Sequence, residues 1–119
     1  MQNSPQDFHN KILGRKGEKL TCRYLKRRGY KILERNYTTP FGEADIVAYK
    51  DGYYCFVEVK TRVTDIYGLP AEAVNEAKRR RYRMIAKYFC AQRREEVPCR
   101  YDVASVCDKD LEYFENAYV

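Results

Sequence analysis

The sequence predicts an α/β fold, a mixed sheet flanked by helices, on three observations. Two segments, one near the start and one in the second half, carry apolar residues at helical spacing. Short runs rich in Val, Ile, Tyr and Phe lie between and after them and read as strands. Asp51-Gly52 joins two of these runs, a strong hairpin signal because both central residues of a type I′ turn take positive φ. Helices separated by hairpin-connected strands suggest an α/β layer structure.

Residues 1–10 read as a flexible leader and 11–119 as a single domain, since 119 residues suffice for one modest core. From about Ile12 to Arg28, Leu13, Gly17, Leu20, Thr21, Tyr24 and Leu25 mark the apolar side of a basic helix, and Gly29 stops it. Tyr30 to Tyr37 is a first strand, broken by Thr38-Thr39-Pro40. Gly42 to Lys50 and Tyr53 to Arg62 are the hairpin strands. A loop over 63–69 leads to a second helix from Pro70 to about Ala91, with Glu72 and Glu76 near its start and a buried stripe of Val74, Ala77, Tyr82, Ile85 and Phe89. Arg100 to Cys107 is a fourth strand, Asp108-Lys109-Asp110 a turn, and Leu111 to Tyr118 a fifth strand.

Hydrophobic residues make up 45% of the chain and charged ones 34%, which argues against both disorder and membrane insertion. The start, MQNSPQDFHNK, lacks the charged and apolar regions of a secretory signal, so a cytoplasmic address is expected. Five scattered cysteines without a C-x-x-C pair, and a single histidine, His9, speak against zinc and against histidine catalysis; the cysteines read as small buried hydrophobes. The net charge of +6 suggests a polyanionic partner.

A two-residue turn at Asp51-Gly52 puts Asp45 opposite Glu58 and Glu43 opposite Lys60, so four charges share one face of the sheet. The other face takes Ala44 with Val59, Ile46 with Val57 and Ala48 with Cys55. Two carboxylates about 5 Å apart repel by roughly 3 kcal/mol at an effective dielectric near 20, more than a good cross-strand pair contributes. Protonation, a protein cation or a bound metal relieves that repulsion. Glu43 and Lys60 roughly cancel, which leaves about two negative charges and suits a hard divalent ion, Mg²⁺ or Mn²⁺. The bland alternative is a solvated face with a Glu43–Lys60 ion pair.

Asp45 followed by Glu58-Val59-Lys60 on the next strand resembles the PD-(D/E)xK nuclease superfamily. More closely, the chain resembles the YraN-like family of small bacterial proteins. The matching pieces are Gly14-x-x-Gly17-Glu18, Gly42-Glu43-x-Asp45-Ile46-Val47-Ala48, Phe56 to Arg62, Gly68-x-Pro70-x-Glu72-Ala73-Val74, Lys78, Arg100-Tyr101-Asp102 and Asn116-Ala117-Tyr118. The resemblance implies a restriction-endonuclease-like or Holliday-junction-resolvase-like αβββαβ core. It implies that Asp45, Glu58 and the Val59 carbonyl hold the metal, that Lys60 positions and helps deprotonate the attacking water, and that Glu18 joins the site. Relatives that resolve symmetric junctions are two-fold dimers, which leaves room for a homodimer.

The leading expectation is therefore a Mg²⁺- or Mn²⁺-dependent endonuclease that hydrolyses DNA phosphodiester bonds, with branched or structured DNA in view. Its catalytic candidates are Glu18, Glu43, Asp45, Glu58 and Lys60. Arg15, Lys19, Arg62, Lys78, Arg79 and Arg81 are the nucleic-acid-binding candidates, as phosphate contacts. Two alternatives stand beside it: a nucleic-acid-binding module without turnover, and a structural or regulatory protein whose acidic cluster binds a metal.

Overall fold

The computed structural model describes residues 5–63, 67–70 and 73–117, with side chains from residue 12 onward. The elements run α1 (Pro5–Arg27), β1 (Lys31–Thr39), β2 (Gly42–Lys50), β3 (Tyr53–Thr61), α2 (Glu76–Arg93), β4 (Cys99–Cys107) and β5 (Asp110–Phe114). The strands form one sheet in sequence order; β3 and β4 pair in parallel across the α2 connection, and every other neighbouring pair is antiparallel. The fold is thus α/β with a mixed sheet, an αβββαβ core extended by β5.

The hairpin has the register its turn dictates. Asp51 and Gly52 take φ of 51° and 85°, and pairing runs from Lys50↔Tyr53 to Ile46↔Val57. α1 starts at Pro5, earlier than Ile12, and closes through Gly29, whose φ of 84° suits a residue without Cβ. α2 starts later than Pro70. Asn75 is its N-cap, accepting from the Lys78 N–H at 2.9 Å, while Pro70 supplies the carbonyl of a turn to Ala73 N–H. Glu72 lies outside the described residues, and so does Tyr118 at the expected end of the fifth strand.

Both sheet faces are covered. Cys22, Leu25 and Tyr30 pack with Ile46, Ala48, Cys55, Val57 and Ala104 on the α1 side. Tyr82, Ile85, Ala86 and Phe89 of α2 pack with Val47, Tyr54, Phe56, Tyr101 and Val103 on the other. Two expectations change here. Ala77 is exposed, because the buried stripe of α2 begins only at Tyr82. Ala44 packs on the α2 side although Ile46 packs on the α1 side, so the strict alternation of β2 breaks at Asp45.

Of the five cysteines only Cys22 and Cys55 are buried; Cys90 and Cys107 are half-buried and Cys99 is exposed, all with free thiols. Among the described residues no helix is long and apolar enough to cross a membrane.

Candidate functional site

The break at Asp45 builds the site. β1 and β2 pair at Arg35↔Ile46 and Tyr37↔Ala44, and between these pairs Asn36 takes a left-handed φ of 51°, which Asn tolerates better than most residues. On the other edge of β2 the ladder with β3 ends at Ile46↔Val57. The Asp45 carboxylate replaces the next rung, its Oδ2 accepting from the Val59 N–H at 2.7 Å. Local disruption of pairing next to functional residues is a recurrent use of bulged strands. The expected face-to-face stacking of Asp45 on Glu58 is relieved in this way, and the two acids remain within electrostatic range.

Asp45 is half-buried and makes no ion pair with any described residue. Burial pushes its carboxyl up to about 6; Glu18, Glu58 and Glu43 add to the rise, and the Val59 N–H opposes it. Glu18 comes from α1, where Gly17 lets the helix approach β3 closely. A Cβ at Gly17 would stand 3.3 Å from both Thr61 Oγ1 and Val59 Cγ1. Burial raises the Glu18 carboxyl as well, against the Asn36 amide and the nearby Arg35 charge. With its nitrogen turned toward the carboxylate, Asn36 donates to Glu18 Oε1 and Oε2 at 3.1 and 3.2 Å.

Glu58 is treated differently. It is buried, and three groups satisfy it: the Lys78 ammonium in close contact with Oε1, Lys60 Nζ at 3.8 Å, and the Tyr101 hydroxyl on Oε2. The same hydroxyl lies 2.9 Å from the Ala73 carbonyl, which ties the α2 lead-in to the site. The Tyr82 ring rests against Tyr101 with centroids 4.2 Å apart.

Glu18, Glu43, Asp45, Glu58, Lys60 and Lys78 therefore belong to one neighbourhood where α1, β2, β3 and α2 meet. Val59 enters it through its backbone N–H. The remaining cations are dispersed. Arg15 and Lys19 are exposed on α1. Arg81 lays its stem over Gly42, whose φ of 136° and 2.8 Å clearance to Arg81 Cδ leave no room for a side chain. Arg79 is exposed on α2. Arg62 is held at the sheet end, with Nε donating to Ser105 Oγ at 3.1 Å and Nη2 3.9 Å from Glu112.

Sequence reasoning missed Tyr101 and Asn36 as site residues. Tyr101 could have been found: β4 runs parallel to β3 with Tyr101 opposite Phe56, so Tyr101 shares the face of Glu58. Asn36 carried no comparable signal, because its role depends on a left-handed kink inside a strand.

As for a metal, the side-chain donors are carboxylate oxygens, the chemistry of a hard divalent cation, and Asp45 lacks a cationic partner among the described residues. Yet no three His, Cys, Asp or Glu side chains converge as a ready ligand set among the described residues. The residues fit Mg²⁺ or Mn²⁺ in donor type, and Lys78 is the cation that Glu58 holds.

Residues 17–106 match the model of the uncharacterised protein family UPF0102. A UPF0102 protein of Thermodesulfovibrio yellowstonii is 43% identical over 106 residues, covering 89% of this chain and 95% of its own length. One of Alkaliphilus metalliredigens is 42% identical over 113 residues, covering 92% and 99%. One of Geobacter metallireducens is 44% identical over 116 residues, covering 93% and 95%.

Proposed function

The chain belongs to the uncharacterised UPF0102, or YraN-like, family, and from that premise and the site geometry we propose that it is a metal-dependent endonuclease that hydrolyses DNA phosphodiester bonds. The observation that carries this reading is the break in β2. It isolates a half-buried Asp45 without an ion-pair partner among the described residues, beside Glu58 and Lys60 on β3. A fold kept only for stability gains nothing from an acid with so high a proton affinity.

Asp45, Glu58 and the Val59 carbonyl would hold Mg²⁺ or Mn²⁺. Such an ion, when bound, polarises a non-bridging phosphate oxygen and lowers the pKa of a coordinated water. Lys60 then stabilises the charge that develops on the phosphate and orients the attacking water. Tyr101 fixes the orientation of Glu58 through its hydroxyl. Glu18 and Glu43 add negative charge around Asp45 and strengthen its hold on a divalent ion. Lys78 neutralises Glu58 and competes with the metal for it.

A second reading, a nucleic-acid-binding module without turnover, draws on one observation. Glu58 is already satisfied by Lys78 and Tyr101, and no three acids converge among the described residues. One experiment separates the two. Branched, flapped and linear DNA incubated with the protein and Mg²⁺ or Mn²⁺ is cut by the wild type, and Asp45→Asn, Glu58→Gln and Lys60→Ala each lower the rate by about 10²-fold or more. DNA bound but left intact by the wild type selects the binding module; equal cutting by the variants removes Asp45 and Glu58 from the chemistry.

A further inference from the structure

A groove of about 770 Å³ runs between α2 and the chain from Glu95 to Tyr101. Its inner end is the Tyr82–Tyr101 pair, and the Tyr101 hydroxyl donates to Glu58. Ala86, Cys90 and Pro98 continue an apolar wall from there. Arg79, Arg83 and Lys87 stand on the α2 rim, four residues apart. One helical turn and a fraction separates each from the next, a rise of about 6 Å. All three are exposed, and no ion pair among the described residues engages them. Glu95 and Glu96 close the far end, and the Glu95 carboxylate accepts from the Tyr54 hydroxyl at 2.5 Å.

An apolar trough beside an evenly spaced row of cations matches a ligand with planar apolar groups on a regularly repeating anionic backbone. A duplex keeps its bases stacked inside and could offer this trough only its phosphates. An unpaired strand can offer both. We propose that the groove binds single-stranded nucleic acid and leads it to Glu58, with phosphates on Arg79, Arg83 and Lys87 and bases against the wall of Ala86, Cys90 and Pro98. The assignment rests on the phosphodiesterase reading and narrows its substrate to a bond adjoining an unpaired segment. It also separates Arg79 from Arg81, whose stem covers Gly42 on another side of α2.

The test measures fluorescence anisotropy of labelled oligo(dT), oligo(U) and blunt duplex with the full chain in EDTA, over a range of salt. Arg83→Gln and Lys87→Gln are exposed substitutions that leave the fold intact, and each lowers the salt slope for oligo(dT) by about 0.7, one phosphate contact. Ala91→Trp fills the exposed mouth of the groove without touching its charge and weakens oligo(dT) binding about tenfold, while duplex binding stays within about twofold. Preference for oligo(dT) over oligo(U) assigns the strand as DNA; equal binding assigns the shared base-and-phosphate chemistry. Unchanged affinity and slope in all three variants, or equal losses on duplex, overturn the groove. Because binding is read without metal, the two proposals fail separately: groove-dependent binding with no cleavage of any DNA sinks only the hydrolase, and cleavage indifferent to the groove variants sinks only the groove.

Discussion

Asp45 gains its charge against resistance, because burial and three acidic neighbours push its carboxyl up to about 6 from an ordinary 3.8. A carboxyl whose proton affinity rises on folding stabilises the native state only while it is protonated, so its contribution is full below about pH 4 and disappears as pH climbs through about 6. Asp45→Asn keeps the acceptor for the Val59 N–H and removes the charge. It should therefore raise stability at pH 7 by up to about 3 kcal/mol, with the gap from wild type closing toward pH 4 in urea titrations. A gap that widens on acidification contradicts this account. Lys78 offers a second test. Lys78→Met strips Glu58 of its closest cation, leaving Lys60 at 3.8 Å and the Tyr101 hydroxyl. The loss should be about 1–3 kcal/mol of stability at neutral pH. Calorimetric titration should show Mn²⁺ bound several-fold more tightly by this variant, since its competitor has gone; weaker binding would make Lys78 a supporter of the metal.

Close helix–sheet approach is the element-scale feature on which the site depends, and Gly17 sets it. Gly17→Ala trades a helix-propensity gain of about 1 kcal/mol against contacts at 3.3 Å, and should change stability little. Gly17→Val cannot fit without moving α1 off β3, and should lose about 1–3 kcal/mol in denaturant unfolding together with the Glu18 contact to Asn36. Much of this scale was legible in advance. The Asp51-Gly52 turn fixed the hairpin register through local φ requirements alone, and Gly29 marked the end of α1. The start of α2 was misplaced because Pro70 and Asn75 are both credible helix starts, and only the Asn75 side chain reaches a free N–H. The break at Asp45 was not legible, since simple alternation carries Ala44 and Ile46 to one face. Only the left-handed Asn36 on the neighbouring strand and the Val59 N–H taken by Asp45 turn them apart. Charges at the site could be read from the strand pattern; the contact of Lys78 with Glu58 needed the packing of α2.

On the scale of the whole molecule, a net charge of +6 coexists with an acidic neighbourhood at the meeting of both helices with the sheet. Under the proposed function, positive charge outside that neighbourhood would draw a polyanion in, and the acids would need a divalent ion to tolerate it. DNA affinity should accordingly fall linearly on a log–log plot against salt, with a slope near −0.9 per phosphate contacted on duplex. A flat response would remove the nucleic-acid reading as a whole. The family assignment covers residues 17–106, yet the fold spends its last described residues on a separate task. Asp102, fully buried, accepts from Arg100 Nε and Nη2, from the Tyr113 hydroxyl at 2.5 Å and from the Asn116 N–H at 2.8 Å, while Ala117 N–H donates to the Tyr101 carbonyl at 2.8 Å. The tail is thus moored to the very dipeptide that steers Glu58. Trimming the chain after Phe114 would slacken that mooring from behind.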